Sequence, residues 1–335
     1  MKISVALCTY NGEKFLYEQI DSILNQTIKV DEIIVCDDCS SDNTLSILKK
    51  YEKVNPSIFK INQNEVNLKS NKNFEKAIGL CSGDYIFLSD QDDIWRNDKV
   101  EKTLAVFNQN PDAEGVFSNG VLINNKGEVI YKDNSLWDSF SFYESKIDKP
   151  IDLFDFLITN GNYLTGASLC IRKEVKIFCF PFMTMEDFLH DEWLASILTK
   201  KRTLFYTTEK LISYRLHDSQ QLGIGDENKF SDYSNNVIRI QKTIIKTKKP
   251  KSYKDYKFLT NLYYSRYERY VKLKDQNIDS PIIFELINAV IEFYTKFDLE
   301  MKEKHPIRYF FRKRKDKMKG KRQIDAQFIT PKTNR

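Results

Sequence analysis

The sequence predicts an α/β fold, a parallel sheet covered by helices on both faces, with a helical extension at the C-terminus. Three observations carry this prediction. Short β-type apolar runs alternate with amphipathic helical patterns over the first hundred residues. The apolar runs are continuous rather than alternating, as strands buried on both faces require. Three of these runs end in polar or acidic clusters, and ligands of such sheets bind outside the carboxyl ends of the strands.

Residues 3–7 (Ile-Ser-Val-Ala-Leu) read as the first strand, and Phe15, Leu16, Gln19, Ile20, Ile23 and Leu24 follow at helical spacing. Residues 32–36 form a second strand, followed by a helix capped near Ser41 and running towards Lys50. A third strand spans 58–62. A helix carrying Phe74, Ala77, Ile78 and Leu80 leads to a fourth strand at 85–88. Beyond it, strand patterns occur at 115–123 and 165–171, a helical stretch at 191–198 and a hairpin-like run at 204–216. From Asp226 onwards Gly and Pro thin out, and Lys- and Tyr-rich helical patterns take over. The expected domains are therefore 1–225, in halves 1–110 and 111–225, and a helical region 226–335 with a basic tail.

Composition narrows the function. Of 335 residues 41% are apolar, enough for a sizeable core and too many for a disordered chain. No apolar run reaches the ~18 residues of a membrane-spanning helix. Met1 to Val5 enter a strand pattern with no cleavable signal, and six scattered cysteines suit a reducing compartment, so a cytoplasmic location is expected. The net charge of +5 is uneven: residues 302–322 carry eleven Lys/Arg and two acids, +9, leaving −4 for the rest. A nucleic-acid groove would spread its cations over the folded body, so a nucleic-acid partner is not expected. Aromatics interleaved with this basic run suit the anionic inner face of the cell membrane, bound peripherally.

The clusters at the strand ends carry the chemistry. Asp90, Asp92 and Asp93 directly follow the fourth strand. Carboxylates this close repel one another unless a cation neutralises them. Mg²⁺ or Mn²⁺ prefers oxygen ligands and commonly takes one or two carboxylates plus substrate phosphates. Other chemistries lack support. Cys36-Asp37-Asp38-Cys39 is formally C-x-x-C, but its two acids would raise the thiol pKa, and no second pair exists for zinc. No glycine-rich dinucleotide or P-loop motif occurs.

Three segments together resemble the signatures of family-2 glycosyltransferases: Val5 to Gly12 (VALCTYNG), Asp37 to Thr44 (DDCSSDNT) and Ser89 to Trp95 (SDQDDIW). The last most resembles the bacterial rhamnosyltransferase-like branch, which builds surface polysaccharides. The resemblance covers roughly residues 1–220. It implies a GT-A fold, a mixed and mainly parallel sheet flanked by helices, and an inverting, metal-dependent transfer of one sugar from a dTDP- or UDP-linked donor to a glycan or lipid-linked acceptor. It implies that Thr9, Tyr10 and Glu13 lie along the nucleotide, that Asp38 meets the base and Asp90 the ribose. Asp92, helped by Asp93, would bind the metal. His190-Asp191-Glu192-Trp193 resembles the family's base motif, which implies Asp191 as catalytic base with Glu192 as its rival. Arg215 and His217 would contact the diphosphate or complete the metal shell, and Gly166 would let the sugar or acceptor approach the backbone closely; Asn162 and Tyr163 are candidate sugar contacts that turn chemistry explains equally well. The Q-x-x-R-W motif of processive synthases is absent, which favours transfer of a single sugar. The alternative is a non-catalytic nucleotide-binding or scaffold protein of a polysaccharide assembly complex.

Overall fold

The computed structural model describes residues 1–130, 132, 134–140, 142, 152–183, 185, 188–218, 220, 249–275, 281–325 and 328. The chain divides into two compact units. One comprises Met1–Phe154 and Asn162–Val237, the other Asp155–Gly161 and Ile238–Arg335. The domain boundary expected near residue 226 lies outside the described residues. The segment Asp155–Gly161, expected within the first domain, groups with the helical unit instead.

The first unit is built on one mixed sheet. Its early strands are β1 (Ile3–Thr9), β2 (Glu32–Asp37), β3 (Phe59–Gln63) and β4 (Tyr85–Ser89). Between them lie helices α1 (Leu16–Leu24), α2 (Thr44–Val54) and α3 (Lys69–Leu80). Every residue of β1, β2 and β4 is buried, which explains their unbroken apolar character. Each helix turns one stripe inward, such as Leu16, Gln19, Ile20 and Ile23 on α1. β3, β2, β1 and β4 are consecutive parallel neighbours.

Antiparallel strands enter after that point. The chain continues through β5 (Ile94–Trp95), α4 (Lys99–Gln109), β6 (Gly115–Ile123), β7 (Val129–Ile130) and α5 (Leu136–Ser139). Next come α6 (Leu153–Asn160), β8 (Leu169–Arg172), α7 (Val175–Cys179), α8 (His190–Lys200) and β9 (Leu204–Arg215). The sheet order is β3-β2-β1-β4-β8-β6-β9-β5, with β7 beside β6.

Two local expectations change. The run at 204–216 is one long strand, not a hairpin: β9 pairs parallel with β6 along most of its length and antiparallel with β5 at its end. It contains no Gly, Pro or Asn to reverse the chain. The segment 165–171 begins as a 3₁₀ turn, Gly166–Ser168, and becomes strand only at Leu169.

The second unit contains α9 (Tyr253–Lys274), α10 (Pro281–Lys304) and α11 (Pro306–Met318). Ser252 and Asp255 form a capping box at the head of α9. Tyr256, Leu259, Tyr263, Tyr267 and Tyr270 face inward at spacings of three and four residues. Ile283, Leu286, Val290, Tyr294, Phe297 and Met301 do the same on α10. Tyr263 stacks on Phe293 with ring centroids 5.0 Å apart.

Candidate active site

Strand register assembles the site. Thr9 lies opposite Asp37, and Leu7 opposite Ser89, so the carboxyl ends of β1, β2 and β4 are level. The polar residues that follow them meet at one edge. Ile94 pairs with Ser213 antiparallel, which carries Asp92 and Asp93 alongside the end of β9.

The loops after β1 and β2 are knitted together. Thr9 Oγ1 donates to Asp37 at 2.9 Å, and Asp37 also accepts from the Ser40 hydroxyl at 2.6 Å. Asn11, at a positive φ of 50°, accepts from the Ser41 N–H. Glu13 accepts from the backbone and side chain of Asn43 at 2.9 and 2.6 Å. Asp38 is buried and accepts from the N–H groups of Leu68 and Lys69 at 2.7 and 2.8 Å, so it also secures the start of α3. Tyr10 is partly exposed. Its N–H and C=O are clamped by the Gln91 amide at 2.7 and 3.0 Å. Gly12 leaves room for this clamp, because a Cβ there would displace the Gln91 amide.

The acid loop has an open and a closed side. Asp92 Oδ2 lies 2.9 Å from His217 Nε2. Asp93 is buried and accepts from the Arg215 N–H at 3.0 Å through one oxygen. Its other oxygen has no hydrogen-bond partner among the described residues. Burial, then Asp92 and Asp90, raises the Asp93 carboxyl well above its ordinary range. Asp90 is pushed up to about 7 by burial and by its neighbours Asp92 and Asp191.

Arg215 is enclosed beside this loop. Its guanidinium is 0% exposed and donates to Asp92 O, Asn124 O and Glu18 Oε2 at 2.8, 3.0 and 2.8 Å. It also lies over the Phe15 ring. A charge enclosed this way needs such partners, and it fixes the backbone that carries Asp92.

Across the sheet end stands the head of α8. The His190 N–H is capped by Asn71 of α3 at 2.8 Å. Asp191 and Glu192 occupy the first turn, where the helix dipole favours negative charge. Asp191 is 8% exposed, and its Oδ1 accepts from the Glu192 N–H at 2.7 Å. Burial pushes its carboxyl up to about 7, against hydrogen bonds from the Glu192 and Gly166 backbone. Asp191 is among the charges that raise Asp90, so the acid loop and the helix head share one electrostatic environment. Tyr214 feels both: burial and then Asp93, Asp90, Asp92 and Asp191 raise its hydroxyl pKa well above 10.0.

Gly166 packs against the head of α8. It is buried, and a Cβ there would sit 2.6 Å from His190 Nε2, so its smallness admits the histidine ring. That ring stacks on Phe74 at 4.1 Å, and burial drives its pKa down to about 3. Tyr163 is a core aromatic rather than a sugar contact, fully buried and stacked on Phe142 at 4.9 Å. The Asn162 side chain accepts from the Leu164 N–H at 3.4 Å. The six cysteines are free, and burial raises Cys36 to about 11.

Sequence reasoning missed four residues that hold this arrangement: Gln91, Asn71, Tyr214 and Lys99. Lys99 is buried, donates to Ala167 O at 2.7 Å and lies 3.9 Å from the Trp95 ring centre. Burial lowers its pKa to about 7, opposed by Asp93, Cys170 and Asp90. One signal was available: Val100, Leu104 and Phe107 define an inward stripe on α4 that includes position 99.

The donor set fits a hard divalent ion. Asp92 lies beside His217, Asp93 has a buried oxygen with no hydrogen-bond partner among the described residues, and carboxylate oxygens suit Mn²⁺ or Mg²⁺. Among the described residues no three His, Cys, Asp or Glu side chains form a ready-made metal cage. An ion completed by phosphate oxygens and water needs only one or two protein ligands.

A helix-covered sheet whose later strands turn antiparallel, with acids gathered at the ends of the parallel ones, defines the GT-A class of architecture. TarS of Staphylococcus aureus shares the fold, with a TM-score of 0.50 at 16% identity over 90% of this chain and 54% of TarS. Residues 4–169 match the family model for glycosyl transferase family 2. An uncharacterized glycosyltransferase of Haemophilus influenzae is 30% identical over 222 residues, 65% of this chain and 66% of that protein. The dTDP-rhamnosyl transferase RfbG of Shigella flexneri is 30% identical over 230 residues, 65% of this chain and 73% of RfbG. The matched region thus spans about two thirds of each relative's length. The chain belongs to glycosyl transferase family 2, a family of glycosyltransferases.

Proposed function

We propose that the protein transfers a single sugar, with inversion, from a nucleoside diphosphate donor to a growing surface polysaccharide or lipid-linked glycan. The observation that carries this reading is Asp191: a buried carboxyl at a helix head, titrating at about 7, in the same field as the acid loop. A general base works best with a pKa near the operating pH. In the step proposed, the acceptor hydroxyl oxygen bonds to the anomeric carbon as the bond from that carbon to the diphosphate oxygen breaks. The hydroxyl proton goes to the Asp191 carboxylate, and the nucleoside diphosphate departs on the opposite face. Glu192, next in the chain, is the rival for this role.

Thr9, Tyr10, Glu13, Asp38 and Asp90 would line the nucleotide, and Asp92, Asp93 and His217 would hold Mn²⁺ or Mg²⁺. A bound divalent ion would neutralise charge on the departing diphosphate. Arg215, Gln91 and Lys99 would keep these groups in place. Similarity to RfbG makes dTDP-rhamnose the first donor to test, followed by UDP-hexoses.

The experiment is a donor screen with Mn²⁺ or Mg²⁺, reading released nucleoside diphosphate and the anomeric configuration of the product by NMR. Inverted product, lost on chelation and restored by either metal, is expected. Retained configuration would rule out the single-displacement step, and full activity in chelator would rule out the metal.

A further inference from the structure

Helix α11 is packed with its polarity reversed. Its inward face carries Arg312 and Asp316, both buried. Arg312 donates to the Thr260 hydroxyl at 2.7 Å and to Asn261 at 3.1 Å, and Asp316 is paired with Arg322. Its outward face carries Ile307, Phe310, Phe311 and Met318, which are 74, 61, 63 and 80% exposed. At ~100° per residue these four side chains fall within a sector about 100° wide, opposite Asp316. A helix that only needed to cover a core would have turned this face inward and left Arg312 and Asp316 in water.

The surroundings of the apolar face identify its occupant. Arg314 lies within the sector, with Lys317 and Lys315 flanking it on either side, all exposed. Lys319 and Lys321, also exposed, follow the helix directly. A second copy of the chain would bring two such cationic faces together, which is repulsive. An anionic bilayer surface accepts both features at once, with phosphates for the cations and the acyl boundary for the apolar side chains.

We propose that α11 is an interfacial membrane-binding helix that inserts Ile307, Phe310, Phe311 and Met318 into an anionic lipid surface, with Arg314, Lys315 and Lys317 on the headgroups. This assignment does not depend on the transfer reaction. Co-sedimentation of the full chain with vesicles of phosphatidylglycerol and phosphatidylcholine, against phosphatidylcholine alone, tests it. The wild type binds the anionic vesicles at least about tenfold more tightly, and added salt weakens binding. The double variant Phe310→Ser with Phe311→Ser loses at least about tenfold in partitioning with unchanged circular dichroism. Lys315→Glu with Lys317→Glu loses binding to the anionic vesicles specifically. In a Phe311→Trp variant the indole emission shifts to the blue on adding anionic vesicles. Equal binding to both vesicle types, undiminished binding by the Phe variant, or a lipid-independent dimer abolished by the Phe changes would overturn the proposal.

Discussion

Replacing Asp191 with Asn should make the protein more stable at alkaline pH while removing its activity. Asp191 ordinarily would ionise near 3.8 and here does so at about 7. Because the folded-state pKa is raised, the neutral carboxyl costs nothing below the unfolded value. Stability is then lost progressively as pH rises from 3.8 to about 7, and the penalty is constant above that. At ~1.4 kcal/mol per decade, a displacement of about three decades amounts to roughly 4 kcal/mol as a ceiling. Asn keeps the shape and the acceptor for the Glu192 N–H and never ionises. In metal-free thermal unfolding near pH 8, the Asn variant should melt higher, by on the order of 10 °C for a unit of this size, and at about pH 3, below the unfolded value of 3.8, the two should melt together. Turnover should fall by about 10²–10⁴-fold. A difference in melting temperature that is the same at both pH values, or an Asn variant less stable at alkaline pH, would refute the argument that Asp191 is held strained and buried for use.

Three further outcomes follow from the same geometry. Arg215→Met should destabilise by about 1–3 kcal/mol in denaturant titration, because it leaves the Asp92 and Asn124 carbonyls without their donor, while the half-exposed Glu18 can turn to water. Gly166→Ala should cost about 1–3 kcal/mol by overpacking against His190, and the same change in a His190→Ala background should cost much less. Glu32 is buried and its carboxyl is held at about 2: burial would raise it, but hydrogen bonds from Ser4 and Ser82 prevail. With a depressed folded pKa, its contribution is present above 4.5 and lost as pH falls towards 2, so Glu32→Gln should flatten acid unfolding over that window.

The parallel half of the sheet was legible because its signals are local. Continuous apolar runs at β1, β2 and β4 and inward stripes on α1 and α3 each report burial within a short window. The strand-end clusters were legible for the same reason, and Asp90, Asp92, Asp93 and Asp191 do share one field. What escaped is what depends on pairing distant segments. β9 reads as a hairpin until β5 is known to lie beside its end, 117 positions earlier by the Trp95–Ile212 pairing. That pairing turns Arg215 from an open cation into an enclosed brace. Gly166 signals close approach, but only the fold reveals that the approaching group is His190. α11 shows the converse: its composition indicated a basic surface, while the burial of Arg312 and Asp316 reveals which face is left outward.

The most direct test of the central claim is single-turnover sugar transfer by the wild type and by Asp191→Asn, run beside donor-binding titrations of both. The account predicts that the wild type forms product with an inverted anomeric centre. The Asn variant should bind the donor with an unchanged Kd and form essentially no product. Full transfer by Asp191→Asn, with Glu192 intact, would contradict it and move the base to another residue.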